Sequence, residues 1–190
     1  MTVDKTTPDL GIGDGQLLQS RVIENFGRML EMALEDRLTG YVRIESGDAL
    51  VLDTGERGVI TFEDGVPMVA YHAGRDVAGE RALATLSTLG PFRVDVYALE
   101  SARLATIHAD RALSIPPGRP AERLAGDPGL ARRTRAAAPE DRLEATRRDD
   151  DDALAAFLAD EERIEAIREQ AREEAERRAA AWGFTDALEE

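Results

Sequence analysis

Apolar residues recur at three- and four-residue intervals from Leu18 to Leu34. Leu18, Val22, Phe26, Met29, Leu30, Ala33 and Leu34 thereby share one face, which predicts an amphipathic helix. Asp14 is placed to cap its start and Thr39-Gly40 to end it, glycine being suited to the left-handed conformation that follows a helix. The period then shortens to two. Tyr41 to Glu45 alternates and predicts a strand, Ala49 to Leu52 a second, Val59 to Phe62 a third and Val66 to Tyr71 a fourth. Ser46-Gly47-Asp48, a polar loop from Asp53 to Gly58, and Glu63-Asp64-Gly65 separate them, the Asp-Gly pair tolerating the positive φ of a tight turn. Pro67 lacks a backbone donor and suits the first residues of a strand or a sheet edge. Asp76 to Leu89 returns to the helical period, with Val77, Ala78, Ala82, Leu83, Leu86 and Leu89 on one face and Gly90-Pro91 as the stop. In Phe92 to Leu99, Phe92, Val94, Val96 and Ala98 alternate with Arg93, Asp95 and Tyr97, which implies a sheet buried on one face. A short helix around Ala102 to Asp110 follows.

From Ser114 the pattern fades. Pro116-Pro117-Gly118-Arg119-Pro120 breaks regular structure, and large apolar residues become rare until about Pro139, so the segment reads as a linker unable to offset its ordering entropy. Four aspartates, Asp149 to Asp152, precede a stretch of helix formers without Gly or Pro that runs to Trp182. The expected fold is α+β: a small antiparallel sheet of about five strands with two packed helices, then a disordered linker and a long charged C-terminal helix. The boundaries are 1–14 for a disordered N-terminus, 15–112 for the α+β domain, 113–149 for the flexible linker and 150–186 for the helix.

The helix predicts its own ion pairs. Glu173–Arg177 and Glu174–Arg178 are spaced i,i+4, and Glu165–Arg168 and Glu169–Arg172 i,i+3, each contributing roughly 0.2–0.5 kcal/mol. The aspartates sit where the helix dipole favours negative charge. Sparse apolar residues remain: Leu154, Phe157, Leu158, Ile164 and Ile167, with Trp182 and Phe184 as an apolar tail. One reading is a solvated helix with a small apolar patch. The other is a helix that docks on a partner or on itself through these residues.

Charge reframes this picture. The 190 residues carry a net charge of −14, and Lys5 is the only lysine. Acid excess with arginine as the cation fits a salt-saturated cytoplasm, such as that of a halophilic archaeon, where salt screens self-repulsion and carboxylates keep the surface hydrated. Acidity is then a solvent adaptation and no sign of a basic partner. No stretch reaches the length of an apolar membrane span, and the N-terminus lacks the apolar core of a signal peptide, so a soluble cytoplasmic protein is expected.

Candidate chemistry is thin. The absence of cysteine excludes disulfides, thiol nucleophiles and thiolate-held metals. Two histidines, His72 and His108, offer no metal-ligand spacing, and no serine lies in a nucleophile elbow. Gly11-Ile12-Gly13-Asp14-Gly15 has neither the preceding strand nor the spacing of a nucleotide loop. Arg132, Arg133 and Arg135 with Arg147 and Arg148 form the only basic stretch, which argues against nucleic acid at this net charge. No catalytic residue, metal or cofactor is expected. A small-ligand pocket between the sheet and the helix at 76–89, with Tyr71, His72 and Arg75 at its mouth, is an alternative to a protein-interaction role, and a nucleic-acid accessory role is a third.

The run Thr39-Gly40, Phe62-Glu63-Asp64-Gly65, Val66-Pro67-Met68-Val69-Ala70, Gly79 with Ala82 and Leu83, and Gly90-Pro91-Phe92 resembles the PATAN domain that precedes the receiver in PatA-type response regulators. The likeness covers about half the chain, Leu17 to Leu99. It implies a non-catalytic adaptor that mediates protein–protein interaction in signalling; a homodimer is open separately, through self-pairing of the C-terminal helix. The residues after it are too few for a receiver's five-stranded fold, so the implied role is adaptor and not phosphorelay.

Overall fold

The computed structural model describes residues 10–46, 57–86 and 91–181. Six strands form one antiparallel sheet: β1 (Gln16–Ile23), β2 (Gly40–Ser46), β3 (Arg57–Glu63), β4 (Val66–His72), β5 (Val77–Ala78) and β6 (Phe92–Ala98), in the order β1-β6-β2-β3-β4-β5. The strand expected at Ala49 to Leu52 lies outside the described residues.

The main core lies between one sheet face and the helices packed on it. Val42 and Ile44 of β2, Ile60 and Phe62 of β3 and Phe92, Val94 and Val96 of β6 point into it. Phe26, Met29, Leu30 and Ala33 cover them from α1 (Gly27–Glu35), and Ala82, Leu83 and Leu86 from α2 (Gly79–Leu86). The opposite face was expected to be open. Instead Tyr41, Val59 and Thr61 are buried on it, because α3 (Ser101–His108) and the segment around Ile12 close over that side through Leu104 and Ile12. Ile12 thus belongs to a core, within the stretch expected to be disordered.

Two expectations are corrected. Residues 16–23 are a strand and not the start of a helix. Leu17 faces Tyr97 and Val22 faces Arg93, on the same side of the sheet, with a bulge at Leu18 between them. The extra residue shifts the alternation, and the spacing of Leu18, Val22 and Phe26 imitates a helical face. Only from Phe26 onward does the helical period hold.

The second correction concerns 113–149. Ala70 N donates to Leu113 O at 3.1 Å and Ile115 N to Met68 O at 3.1 Å, so this strap covers the edge of β4 beside the two-residue β5. A π-helical turn (Ala121–Ala125) and α4 (Pro128–Ala137) follow, burying Ile115, Ala121, Leu130 and Ala131 in the main core. Asp127 caps α4 by accepting from Leu130 N at 2.9 Å, with Pro128 in the first turn. Pro120, read as a breaker, instead takes the cap position at the start of the π-helical turn, and like Pro128 in the first turn of α4 it fixes φ and reduces the entropy of the unfolded chain. Arg133 bonds Glu31 at 2.8 Å and Glu35 at 3.1 Å on α1, and Arg119 bonds Glu80 at 2.8 Å on α2.

Residues 1–143 form one unit and 144–190 another. The long helix α5 (Glu140–Ala181) starts within the first and supplies the described part of the second. It begins ten residues before the expected boundary at 150. The pairs Glu165–Arg168, Glu169–Arg172 and Glu174–Arg178 form at 3.4, 3.6 and 2.7 Å. The side chains of Glu173 and Arg177 lie outside the described set.

Candidate functional site

Four segments far apart in sequence meet around a cleft of about 830 Å³. Leu34 and Arg37 come from the end of α1, Glu63, Asp64, Val66 and Met68 from the β3–β4 hairpin, Ser101, Ala105 and His108 from α3, and Ala137, Pro139, Asp141 and Arg142 from the passage into α5. The hairpin is set by backbone geometry. Asp64 and Gly65 take positive φ, Gly65 N donates to Leu38 O at 2.9 Å, and Asp64 N donates to Thr39 Oγ1 at 3.1 Å.

A polar chain runs along the wall. Ser101 donates to Glu63 Oε1, Glu63 Oε2 lies 3.3 Å from His108 Nδ1, and His108 Nε2 lies 3.0 Å from Thr61 Oγ1. The carboxylate can only accept, so Nδ1 carries the proton and Nε2 accepts from the Thr61 hydroxyl. Burial pushes the His108 pKa down, against the upward pull of Glu63, with Arg142 adding to the downward shift. Hydroxyl, imidazole and carboxylate stand here in the order of a nucleophile relay. Thr61, however, is fully buried, and the chain of contacts ties α3 to the hairpin. Arg142 closes the far side, donating to Ser114 Oγ at 2.9 Å and Ile115 O at 2.8 Å.

The lowered pKa gives a testable pH dependence. The unfolded chain takes up the His108 proton at the ordinary value of 6.5, the folded protein only at lower pH. Acidification through 6.5 therefore favours the unfolded state, and this contribution is fully present above that value. Wild-type protein should lose more melting temperature between pH 7.5 and pH 5 than His108→Gln (about 7.5 and 5 being ordinary assay limits around the histidine range). Parallel curves for the two proteins would refute the assignment.

Tyr71, His72 and Arg75 do not form the mouth of this cleft. Tyr71 and His72 are buried on β4, with Tyr71 Oη donating to Asp76 Oδ1 at 2.8 Å, and Arg75 is exposed on a short 3₁₀ turn. Their reading as a pocket came from adjacency in sequence, whereas the cleft forms at the other end of β4. Of the arginines weighed for phosphate binding, Arg133 is engaged by Glu31 and Glu35, Arg135 by Glu122 at 2.7 Å, and Arg148 by Glu144 at 3.2 Å. Arg135 holds the Glu122 carboxyl below its usual range.

Leu154, Phe157, Leu158, Ile164 and Ile167 lie on α5, all exposed, with Phe157 at 61%. Trp182 and Phe184 are outside the described residues. Among the described residues the other exposed large apolar side chains, Leu17, Leu18 and Val22, are on β1. No described helix is long and apolar enough to cross a membrane. Among the described residues, no group of three or more His, Asp or Glu is arranged to hold a metal ion.

A family model described as "Domain of unknown function (DUF8572)" matches residues 11–184, a span that takes in both the cleft and the long helix. No curated protein and no solved structure matches the chain.

Proposed function

We propose that this chain, which belongs to the DUF8572 family, is a non-catalytic regulatory or adaptor protein of the cytoplasm that engages a protein partner through α5. The observation that carries this reading is the exposure of five large apolar side chains on a helix otherwise rich in charge. Apolar side chains left in water mark an unfilled contact when they cluster within a few turns, as Leu154, Phe157 and Leu158 do. The resemblance to PATAN domains supports a signalling context for such an adaptor.

The test is affinity capture in high salt with a triple variant, Phe157→Glu, Leu158→Glu and Ile164→Glu. Partner recovery should fall at least about tenfold, as expected for losing central apolar anchors, while the melting temperature of the 1–143 unit stays unchanged. Undiminished recovery would remove the helix from the proposal.

A second reading, a small-ligand sensor, is favoured by the cleft, whose volume and mixture of apolar floor and polar wall suit a metabolite. A thermal-shift screen with nucleotides and organic acids tests it, since a ligand bound only by the folded state raises the melting temperature. Loss of that shift in Arg142→Gln would locate the ligand in the cleft.

A further inference from the structure

We propose that α5 pairs with α5 of a second copy of the chain, antiparallel, through Leu154, Phe157, Ile164 and Ile167. This rests on the docking-helix reading and names its partner. Four of the five exposed apolar residues are symmetric about the point between Asp160 and Glu161: Leu154 precedes it by as much as Ile167 follows it, and Phe157 likewise mirrors Ile164, while Leu158 mirrors Arg163 and lies outside the pairing. A two-fold axis through an antiparallel helix pair maps each position onto its mirror about such a midpoint. Leu154 then meets the partner's Ile167 and Phe157 the partner's Ile164, each contact made twice. All four side chains are between 48% and 61% exposed.

Charge decides the direction. Every charged residue from Asp149 to Glu162 is a carboxylate, whereas arginines and glutamates are interleaved from Arg163 to Arg178. A parallel pair would align the four aspartates with their own copies and stack like charge along the seam. The antiparallel pair sets Asp149 to Asp152 beside the stretch that carries Arg168 and Arg172 of the other helix, at both ends of a contact about 35 Å long. Arg168 and Arg172 are well exposed, and among the described residues they pair with Glu165 and Glu169 of their own helix at 3.4 and 3.6 Å, long contacts on a solvent-facing surface within reach of those aspartates.

The experiment uses the full chain. Light scattering over a range of concentrations, in high salt, should give twice the mass of one chain. Combining Phe157→Glu with Ile164→Glu should return the mass of one chain without lowering the melting temperature. The sequence has no cysteine, so single thiols report direction. Glu161→Cys, next to the axis, should cross-link to itself on oxidation. Ala171→Cys should not, because its two copies would sit about 30 Å apart along the pair. A monomer at every concentration, a dimer that survives the double variant, or cross-linking of Ala171→Cys as readily as Glu161→Cys each overturns the proposal. A monomer from which Phe157→Glu still removes a different captured protein would overturn self-pairing and leave the docking-helix reading standing.

Discussion

Leu130→Ala should destabilise the folded unit by about 3 kcal/mol, a fall in melting temperature of about 10 °C for a unit of this size. Leu130 is 3% exposed and sits in the main core with Ala131, Ala121 and Ile115. Shortening it removes most of its apolar volume and leaves a cavity between α1 and α4, which is held in place by the Arg133 bonds to Glu31 and Glu35. Those ion pairs are half-exposed and contribute little on their own, so they cannot pull α4 inward to fill the space. A residue in a tether would behave differently, within about 0.5 kcal/mol of wild type. Leu154→Ala supplies the internal comparison: an apolar residue of the same kind, 57% exposed, whose loss should leave the melting temperature unchanged. Equal melting temperatures for Leu130→Ala and Leu154→Ala would show that residues 113–137 are not part of the core.

The contrast between those two leucines also marks what the sequence made legible. A side chain's partner was readable where it lies close in sequence or is imposed by strict alternation. β6 shows this: Phe92, Val94 and Val96 fill the core as their spacing requires. So do the Glu63-Asp64-Gly65 turn and the three short ion pairs of α5. Leu130 was not readable, because one leucine among alanines and arginines gives no period. Its burial depends on contacts with α1 and β4, which lie far from it in sequence. Gln16 to Ile23 misled for a different reason: one bulged residue put Leu17 and Val22 on the same face and erased the alternation. The cleft was invisible in the same sense. His108 meets Glu63 and Thr61 only after β3 and α3 are placed, and neither histidine has a neighbour in sequence that announces the contact. What could have pointed there is Glu63 itself, an acidic residue beside a tight turn between two apolar strands.

Gly40→Ala should cost about 4 kcal/mol, more than any other single methyl added to the described glycines without a flexible neighbour to yield. Gly40 has φ 155°, and a Cβ there would lie 2.0 Å from Tyr97 O and 3.0 Å from Ala98 Cα. Both are backbone atoms of β6, and the β2–β6 seam is interior to the sheet, so neither strand can retreat without giving up its ladder. Gly126→Ala separates this collision from backbone strain. Gly126 also has positive φ, 63°, yet nothing lies within 4 Å of its added methyl, so only strain of about 1 kcal/mol is expected. Chemical denaturation of the two variants measures the difference, and equal losses would mean that φ and not space makes Gly40 necessary. The consequence reaches the cleft. Thr39, one residue earlier, accepts from Asp64 N through its hydroxyl and from Leu99 N at 3.1 Å through its carbonyl. The close approach that only glycine permits at position 40 thus seats β2 against β6 and anchors the turn that presents Glu63 to His108. Any shift in that seam should also loosen the histidine, and Gly40→Ala should flatten the acid-side loss of stability that His108 contributes.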